Sequence, residues 1–279
     1  MTILTPENPE VLSAVVMKDG EIIAETEQTG QLYPQYSIMK SLISLLVGRL
    51  CGEGQLTPKT KVSQLLHTGA ASISSLTLDD LMTMRSGINY RLLFDDRKNY
   101  DDYLKTCCEA AVTPLSEEQE HQTFFYNNAC AYIVGRMVEA EDGDPLDKQI
   151  VNYLFRPLGI TEYEFEYDPQ GHVFGASGLK LSTEDLAKLG NGIMTNQICS
   201  KGWLKAATQP RVPTPERIPY GYFFWVLADG NFYMSGKWGQ KCFVLPQYHA
   251  VIAVNSNMQG KDSSTSYIIR KLLPLVAQS

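Results

Sequence analysis

The chain has 279 residues, 44% of them hydrophobic, and its 24 basic and 31 acidic residues give a formal net charge of −7 at pH 7. This length and composition predict a folded protein with one large core or two interlocked ones, and they argue against intrinsic disorder. The acidic balance argues against nucleic acid or an anionic membrane surface as the main partner. We therefore expect a small molecule as the binding partner.

Neither targeting segments nor metal sites are expected from the sequence. The residues after Met1 do not form a basic region ahead of an apolar stretch, and no run approaches the roughly 20 apolar residues of a membrane span. The sequence thus predicts a cytoplasmic protein without a transmembrane segment. The four histidines and six cysteines show no metal-ligand spacing, so neither a metal nor another cofactor is expected.

The predicted elements start with a β-hairpin. Two runs rich in β-forming residues, 11–17 and 21–25, are separated by residues 18–20, which contain an Asp-Gly pair typical of a tight hairpin turn. A helix follows Ser37 and ends at the glycine-containing stretch 51–54. This helix is apolar around nearly its whole circumference, which predicts that it is buried between layers.

The middle of the chain predicts helices, and the tail predicts short strands. Helix start and stop signals place four helices at 77–84, 101–111, 128–139 and 147–155. Another helix is expected at 183–194, after a glycine-rich loop, and a last one at 266–276. Four short strands are predicted between these two helices, at 221–226, 232–235, 242–245 and 251–254.

Strands at both ends of the chain, with helices between them, predict an α+β fold. An antiparallel sheet would be assembled from the two termini and flanked by helices, and an all-helical insertion would lie at its side. We place the α/β sheet domain at residues 1–55 and 175–279 and the helical subdomain at 56–174. The active site is expected between the two.

A hydroxyl and an amine lie one helical turn apart at the start of the apolar helix. Ser37 and Lys40 occupy positions i and i+3, so their side chains lie on the same helical face. The helix N-terminus adds unpaired N–H groups and a positive dipole end, which favour developing negative charge. A buried lysine is costly unless its pKa falls, and a lowered pKa makes lysine a usable base. The pattern predicts Ser37 as a nucleophile and Lys40 as its base in acyl transfer.

The same Ser-x-x-Lys pattern occurs again from Ser177 to Lys180. This second serine lies in a loop of small residues, ahead of a helix whose start is marked by the capping sequence 182–185. We therefore favour Ser37 as the nucleophile.

Tyr126 and Asn128 form the only Tyr-x-Asn in the chain, at the start of a predicted helix. A phenol beside a catalytic lysine can act as base toward the serine or as acid toward the leaving group. The asparagine amide can hold a substrate carbonyl or N–H. A structural interpretation stays open, in which Tyr126 is a core aromatic with a satisfied hydroxyl and Asn128 is a helix N-cap.

Lys237, Trp238, Gly239 and Gln240 lie between two late predicted strands. The lysine would direct positive charge toward an oxyanion or an acidic substrate group, and the glycine allows close backbone approach. The N–H of Gln240 could pair with that of Ser37 as an oxyanion hole. The alternative is that Lys237 is a solvated lysine in a strand turn.

Together and in this order, the three elements resemble the serine β-lactamase and penicillin-binding protein superfamily. The similarity is greatest to the branch of class C β-lactamases, D-alanyl-D-alanine carboxypeptidases and family VIII esterases. Further segments also look like this superfamily, namely 41–42, 81–87, 156–160, 178–190 and 220–222. The resemblance therefore covers nearly the whole chain.

The resemblance implies a β-lactamase/transpeptidase-like fold and a role for each site residue. It makes Ser37 the nucleophile, Lys40 the partner base and Tyr126 the tyrosine of the Tyr-x-Asn element. Asn128 would orient substrate, and Lys237 would fill a position held by lysine or histidine in relatives. The implied chemistry needs no metal: the serine attacks an ester or amide carbonyl to form an acyl-enzyme, and water or another nucleophile then removes the acyl group.

Departures from the superfamily pattern bear on the substrate. Trp238 stands where threonine, serine or glycine is common, so a hydroxyl that would bind a substrate carboxylate is missing. The segment before Tyr126 also lacks the proline-glycine turn often found there. Together these departures favour a hydrolase of small esters or amides. The alternatives are a penicillin-binding protein, a D-Ala-type peptidase or β-lactamase-like protein, or a protein that is acylated but turns over negligibly. The sequence leaves the natural substrate and the oligomeric state open.

Overall fold

The sheet that organises the fold is assembled from both ends of the chain. The computed structural model describes residues 1–6, 8–68, 71–88, 104–105, 123–259 and 264–277. The strands in these residues are β1 (Thr2–Ile3), β2 (Val11–Lys18), β3 (Glu21–Glu25), β4 (Tyr33–Pro34), β5 (Glu164–Phe165), β6 (Leu179–Leu181), β7 (Trp225–Val226), β8 (Phe232–Gly236), β9 (Gln240–Leu245) and β10 (Ala250–Ser256).

Helices occupy much of the middle of the described chain and its C-terminal end. The α-helices in the described residues are α1 (Ile38–Gly52), α2 (Ala71–Ser74), α3 (Leu78–Met82), α4 (Asn128–Asp142), α5 (Leu146–Ile150), α6 (Thr183–Met194), α7 (Lys201–Ala207), α8 (Ser264–Tyr267) and α9 (Leu273–Ala277). Wider helical turns extend α5 through residue 155 and join α8 to α9.

The main sheet has the strand order β1-β3-β2-β10-β9-β8-β7. Every neighbouring pair is antiparallel except β1 with β3. The N-terminal hairpin meets the last strand directly, because Val16 of β2 pairs with Ile252 of β10. A second, three-stranded antiparallel sheet has the order β4-β6-β5. The predicted α+β fold, with an antiparallel sheet from both termini, is confirmed.

The main sheet separates two apolar clusters. Val15 and Val251 point to the face that packs with α1 and α6. Their neighbours Val16 and Ile252 point the other way and pack with Leu272 of the C-terminal helical segment. Successive strand residues face opposite sides of a sheet, so these strands are apolar on both faces. The prediction that α1 is buried is confirmed, since twelve of its residues are buried.

One predicted strand is largely wrong. The strand expected at 221–226 is reduced to β7, because the chain before it turns sharply instead of extending. Phe223 has a φ of 60°, and its N–H donates to the carbonyl of Met82 at 3.1 Å. Gly221 approaches the end of α7 so closely that a Cβ would lie 2.0 Å from the carbonyl oxygen of Ala207. Only glycine fits at such a contact.

Other helix boundaries differ by a few residues. The helix expected at 77–84 is α3, which starts one residue later and ends at Met82. Helix α7 was not predicted from the sequence. Ser200 could have indicated it, since its hydroxyl accepts from the N–H of Trp203 as an N-cap does. The helix expected at 101–111 lies outside the described residues, apart from 104 and 105. The division into a sheet domain and a helical subdomain stays a prediction.

Candidate active site

Helix α1 positions Ser37 and Lys40. Ser37 precedes the first helical residue and has a helical φ of −70°, but its side chain caps no backbone N–H. The Nζ atom of Lys40 lies 2.7 Å from its Oγ atom. The i, i+3 spacing predicted this contact. Lys40 itself is 1% exposed.

The hydrogen bonds of Lys40 to Ser37, Asn128 and Ala176 all involve oxygen atoms. Besides Ser37, its Nζ atom donates to Oδ1 of Asn128 at 2.9 Å and to the carbonyl oxygen of Ala176 at 2.8 Å. Burial lowers the pKa of Lys40 to about 7, and Cys130 opposes this by a smaller coulombic effect. A neutral amine has two N–H donors and one lone pair. The Asn128 and Ala176 oxygens only accept, so the lone pair is left for the hydroxyl proton of Ser37.

Tyr126 contacts Ser37 from the start of α4. Its hydroxyl is hydrogen-bonded to Ser37 and to Tyr220, and the Nζ atom of Lys40 lies 5.1 Å from the centre of its ring. Burial raises the pKa of Tyr126 to about 12, so the phenol is protonated near neutral pH. Its ring also stacks with that of Trp225, at 6.2 Å between centroids. Tyr126 is therefore both a packed aromatic residue and a neighbour of the nucleophile.

Asn127, rather than Asn128, caps helix α4. The Oδ1 atom of Asn127 accepts from the N–H of Ala129 at 2.8 Å, and its Nδ2 donates to the carbonyl of Ile88 at 2.9 Å. This leaves Asn128 in the first turn with its amide oxygen on Lys40. The interpretation of Asn128 as an N-cap is therefore wrong.

Sequence reasoning missed Tyr220, which is 1% exposed and hydrogen-bonded through its hydroxyl to Tyr126. Its N–H donates to the carbonyl of Val212 at 3.0 Å. The segment is also tied to α1, because the hydroxyl of Ser41 donates to the carbonyl of Phe223 at 2.6 Å. The Tyr-Gly-Tyr sequence at 220–222 was the available signal, but its spacing to Tyr126 in the chain gave no reason to pair the two.

The turn between β8 and β9 carries the other predicted residues. Lys237 is exposed, and its Nζ atom lies 4.7 Å from the centre of the Trp238 indole. Gly239 has a φ of 90°, and a Cβ there would lie 2.4 Å from Oγ of Ser256, so glycine is required. Gln240 is buried, and its Nε2 atom donates to the carbonyl of Ser256 at 2.7 Å. The Gln240 side chain thus fixes the turn.

Ser37 opens onto a cleft of about 380 Å³ between the start of α1, the three-stranded sheet and the β8–β9 turn. The lining residues are Pro34, Tyr36, Ser37, Asn128, Glu166, Ala176, Ser177, Gly178, Leu179, Lys180, Lys237 and Trp238. Ser177 is thus in the cleft, but the second Ser-x-x-Lys does not form a pair like the first. The Nζ atom of Lys180 binds Glu164 at 2.6 Å instead. The side chain of Gln240 and residue Gly239 are buried and are not among the lining residues.

In the described part of the chain, no group of three or more His, Cys, Asp or Glu side chains is arranged to hold a metal ion. None of its helices combines the length and the apolar character that crossing a bilayer requires.

The chain belongs to the Beta-lactamase family, because the model of that family matches residues 10–273. Among curated proteins, PbpX of Bacillus subtilis (strain 168), assigned as a penicillin-binding protein, is 24% identical over 181 residues. This alignment covers 61% of the present chain and 45% of PbpX, so the chain matches less than half the length of that relative. The family match confirms the resemblance inferred from the three motifs.

Solved structures share the fold over almost the whole chain. A Bacillus anthracis protein assigned as a 6-aminohexanoate-dimer hydrolase superimposes with a TM-score of 0.80 at 17% identity, covering 96% of this chain and 79% of that one. A penicillin-binding protein homologue from Pyrococcus abyssi gives 0.74 at 21% identity, with coverages of 96% and 73%. A penicillin binding protein from Bacillus halodurans gives 0.71 at 18%, with coverages of 93% and 96%. At these identities the likeness concerns the fold.

Proposed function

We propose that this protein is a serine hydrolase that forms an acyl-enzyme on Ser37 and acts on small esters or amides. The observation that carries the proposal is the 2.7 Å contact between Lys40 Nζ and Ser37 Oγ, made by a buried lysine whose other two contacts are acceptors. This arrangement supports a lysine that is neutral in a large fraction of molecules near pH 7 and then takes the serine proton. Membership of the Beta-lactamase family is consistent with this chemistry.

In the proposed acylation, Ser37 attacks the substrate carbonyl while its proton moves to Lys40. The negative charge that develops on the carbonyl oxygen would be stabilised by the backbone N–H groups of Ser37 and Gln240. The dipole of α1 adds to this stabilisation at the helix N-terminus. Lys237, exposed at the cleft, would add positive charge nearby.

Tyr126 would protonate the leaving group. Its phenol is neutral because its pKa is about 12, so it has a proton to give and is a poor base near pH 7. The interaction of its hydroxyl with Ser37 supports this role, because the leaving group departs from the carbonyl that Ser37 attacks. Of the two roles open from the sequence, acid toward the leaving group is therefore the one we propose. The proton that Lys40 took from Ser37 would return to the Tyr126 phenolate, whose pKa is higher. Water, an alcohol or an amine would then remove the acyl group from Ser37 and supply the proton that restores its hydroxyl.

The second candidate is a protein that reacts with penicillin-like acyl donors and turns over slowly. The names of PbpX and of the Pyrococcus abyssi homologue favour it. Trp238 disfavours it, since an indole in this turn offers one N–H donor and no hydroxyl to a substrate carboxylate. We therefore prefer small, uncharged acyl donors.

The experiment that tests the proposal is intact-mass spectrometry of the protein after incubation with a fluorophosphonate, a penicillin or p-nitrophenyl butyrate. We expect a stable phosphonyl adduct and continuous release of p-nitrophenol from the ester. A penicillin adduct that persists while the ester is not hydrolysed would support the second candidate. Absence of every adduct, in protein that is folded by circular dichroism, would refute both.

A further inference from the structure

Two aromatic residues beside the nucleophile have left-handed backbone conformations. Tyr36 has a φ of 47° and Trp238 a φ of 62°. Such values are uncommon outside glycine and cost conformational energy in a bulky residue. The two rings meet edge to face, with centroids 5.3 Å apart and an interplanar angle of 76°. The surrounding fold thus holds this pair in place against a local backbone preference.

The backbone next to Tyr36 is anchored by Gln35. The Nε2 atom of this buried residue donates to the carbonyl of Leu181 at 3.1 Å and to Oδ1 of Asn255 at 3.0 Å. The last residue of β8, Gly236, approaches so closely that a Cβ would lie 2.3 Å from the carbonyl oxygen of Gln35. The segment that ends in Tyr36 is therefore fixed against the strand that leads to Trp238.

The carbonyl of Trp238 is held by the end of β10. It accepts from Oγ of Ser256 at 2.8 Å and from the N–H of Met258 at 3.1 Å. The residue after Trp238 is Gly239, and the structure leaves no room there for a side chain. The two rings are thus anchored from separate elements, and their mutual geometry does not depend on a flexible loop.

Charges of both signs flank this pair, because Lys237 lies beside Trp238 and Glu166 lies near Tyr36. A ligand that contacts both rings therefore avoids an unfavourable charge only if it is neutral. Tyr36 and Trp238 both line the cleft and are only half-buried, so part of each ring is open to it. Glu166 also lines the cleft and lies near enough to Tyr36 to influence its hydroxyl. An anionic group seated on Tyr36 would approach this carboxylate. A neutral aromatic ring would instead add a third edge-to-face or offset contact.

The position of Tyr126 indicates which half of the substrate meets the two rings. Tyr126 approaches Ser37 together with Tyr220 and Trp225, and it is not among the described residues that line the cleft. The proton donor must lie beside the leaving group. The acyl group therefore extends the other way, into the cleft.

We infer that Tyr36 and Trp238 form a fixed aromatic wall that binds a neutral aromatic acyl group, and that Tyr36 is a specificity-determining residue. The inference rests on the acyl-enzyme proposed above and adds the class of acyl donor. Tyr36 immediately precedes the nucleophile and lines the same cleft as Ser37, so its ring is available to an acyl group bound on that serine. A rigid wall also loses little side-chain freedom on binding, which favours affinity.

The test compares p-nitrophenyl acetate, hexanoate and phenylacetate, whose leaving group is the same. Each kcat/KM is divided by the rate constant of the same ester with hydroxide. Tyr36→Asn removes the ring and suits the left-handed backbone, because asparagine tolerates positive φ. Tyr36→Phe keeps the ring and removes the hydroxyl. Tyr153→Asn, at a residue 40% exposed and outside the cleft, is the matched control.

We expect the unmodified protein to prefer phenylacetate over hexanoate and hexanoate over acetate. Tyr36→Asn should lower the phenylacetate-to-hexanoate ratio by about tenfold. Tyr36→Phe and the control should leave it within about twofold. A preference for hexanoate, or an unchanged ratio in Tyr36→Asn, would overturn the inference.

A binding measurement separates this inference from the proposed function. Saturation-transfer NMR with phenylacetamide reports ring binding without any reaction. Binding that Tyr36→Asn abolishes, in a protein that hydrolyses no ester, would contradict the proposed function and retain the aromatic wall. Ester hydrolysis without any dependence on the ring of Tyr36 would support the proposed function and contradict the aromatic wall.

Discussion

Asn128 accepts a hydrogen bond from Lys40 across a distance of 2.9 Å, which joins the first turn of α4 to the first turn of α1. Together with the Ala176 carbonyl, this contact uses both N–H groups of a neutral lysine. The lone pair is thereby directed to Ser37. The amide of Asn128 therefore has a role in orienting the base, in addition to the substrate-binding role predicted from the sequence.

Replacing Asn128 by aspartate should move the pH dependence of acylation upward. Because the pKa of Lys40 is about 7, we expect the acylation rate of the unmodified protein to rise with pH around 7 and to level off above about 8. A carboxylate at position 128 favours the charged lysine and raises its pKa. Stopped-flow acylation by p-nitrophenyl butyrate between pH 5.5 and 9 measures both midpoints. Identical midpoints in Asn128→Asp and the parent would mean that Lys40 is not the titrating base.

Burial of Lys40 also has a consequence for stability. Its pKa is about 7 in the folded protein and close to its ordinary, higher value in the unfolded chain. At pH values between these two pKa values, the lysine is mostly protonated in the unfolded state and mostly neutral in the folded state. The free energy of unfolding should then rise with pH over this range, by up to about 1.4 kcal/mol per pH unit from this one group. Below pH 7 the penalty of burial is present in full.

Lys40→Met provides the comparison, because it keeps the length of the side chain and lacks the titration. We expect the variant to be more stable than the parent at pH 6 and the difference to shrink toward pH 9. Urea unfolding of both proteins in the same buffers measures this difference in the free energy of unfolding. Groups that titrate equally in both proteins do not contribute to the difference. A difference independent of pH would show that the amine does not titrate in this range.

Loss of the two tyrosine hydroxyls should have graded effects on acylation. Tyr126→Phe removes the proposed acid and should slow acylation by about 10²–10⁴-fold. Tyr220→Phe removes only the hydrogen bond that positions Tyr126, so a loss of roughly 2–13-fold is expected. Single-turnover rates with an alkyl ester, whose alkoxide leaving group needs a proton, measure both, and circular dichroism is the control for folding. A larger loss in Tyr220→Phe than in Tyr126→Phe would reverse the roles proposed for the two residues.

Trp238 should set the balance between neutral esters and anionic antibiotics. We expect kcat/KM for p-nitrophenyl butyrate to exceed that for a chromogenic cephalosporin. Trp238→Ser should shift the ratio toward the cephalosporin by roughly 10–150-fold, since a hydrogen bond to a charged group contributes roughly 1.5–3 kcal/mol. Serine is preferred over threonine because the φ of 62° at this position disfavours β-branched residues. An unchanged ratio would place carboxylate recognition elsewhere in the cleft.

The nucleophile and its base could be predicted because their relationship is local. One helical turn determines how Ser37 and Lys40 meet, and the apolar sequence of the helix implies its burial. Tyr36 contacts Trp238, which lies about 200 positions away in the chain. Tyr220 contacts Tyr126, which lies 94 positions away. No local pattern encodes such contacts.

Backbone conformations at the site were also beyond sequence reasoning. Tyr36, Phe223 and Trp238 all have positive φ, although none is glycine or asparagine. Tertiary packing imposes these conformations against the intrinsic preference of each residue. This explains why the strand expected at 221–226 was wrong and why the Tyr36–Trp238 pair could not be anticipated.

Mapping the covalently labelled residue tests the central claim most directly. The folded protein is treated with a fluorophosphonate, digested, and analysed by tandem mass spectrometry beside Ser37→Ala and Ser177→Ala. We predict a single adduct on Ser37, which is absent from Ser37→Ala and unchanged in Ser177→Ala. An adduct on Ser177 or on any other residue, with Ser37 unmodified, would contradict the assignment of the nucleophile.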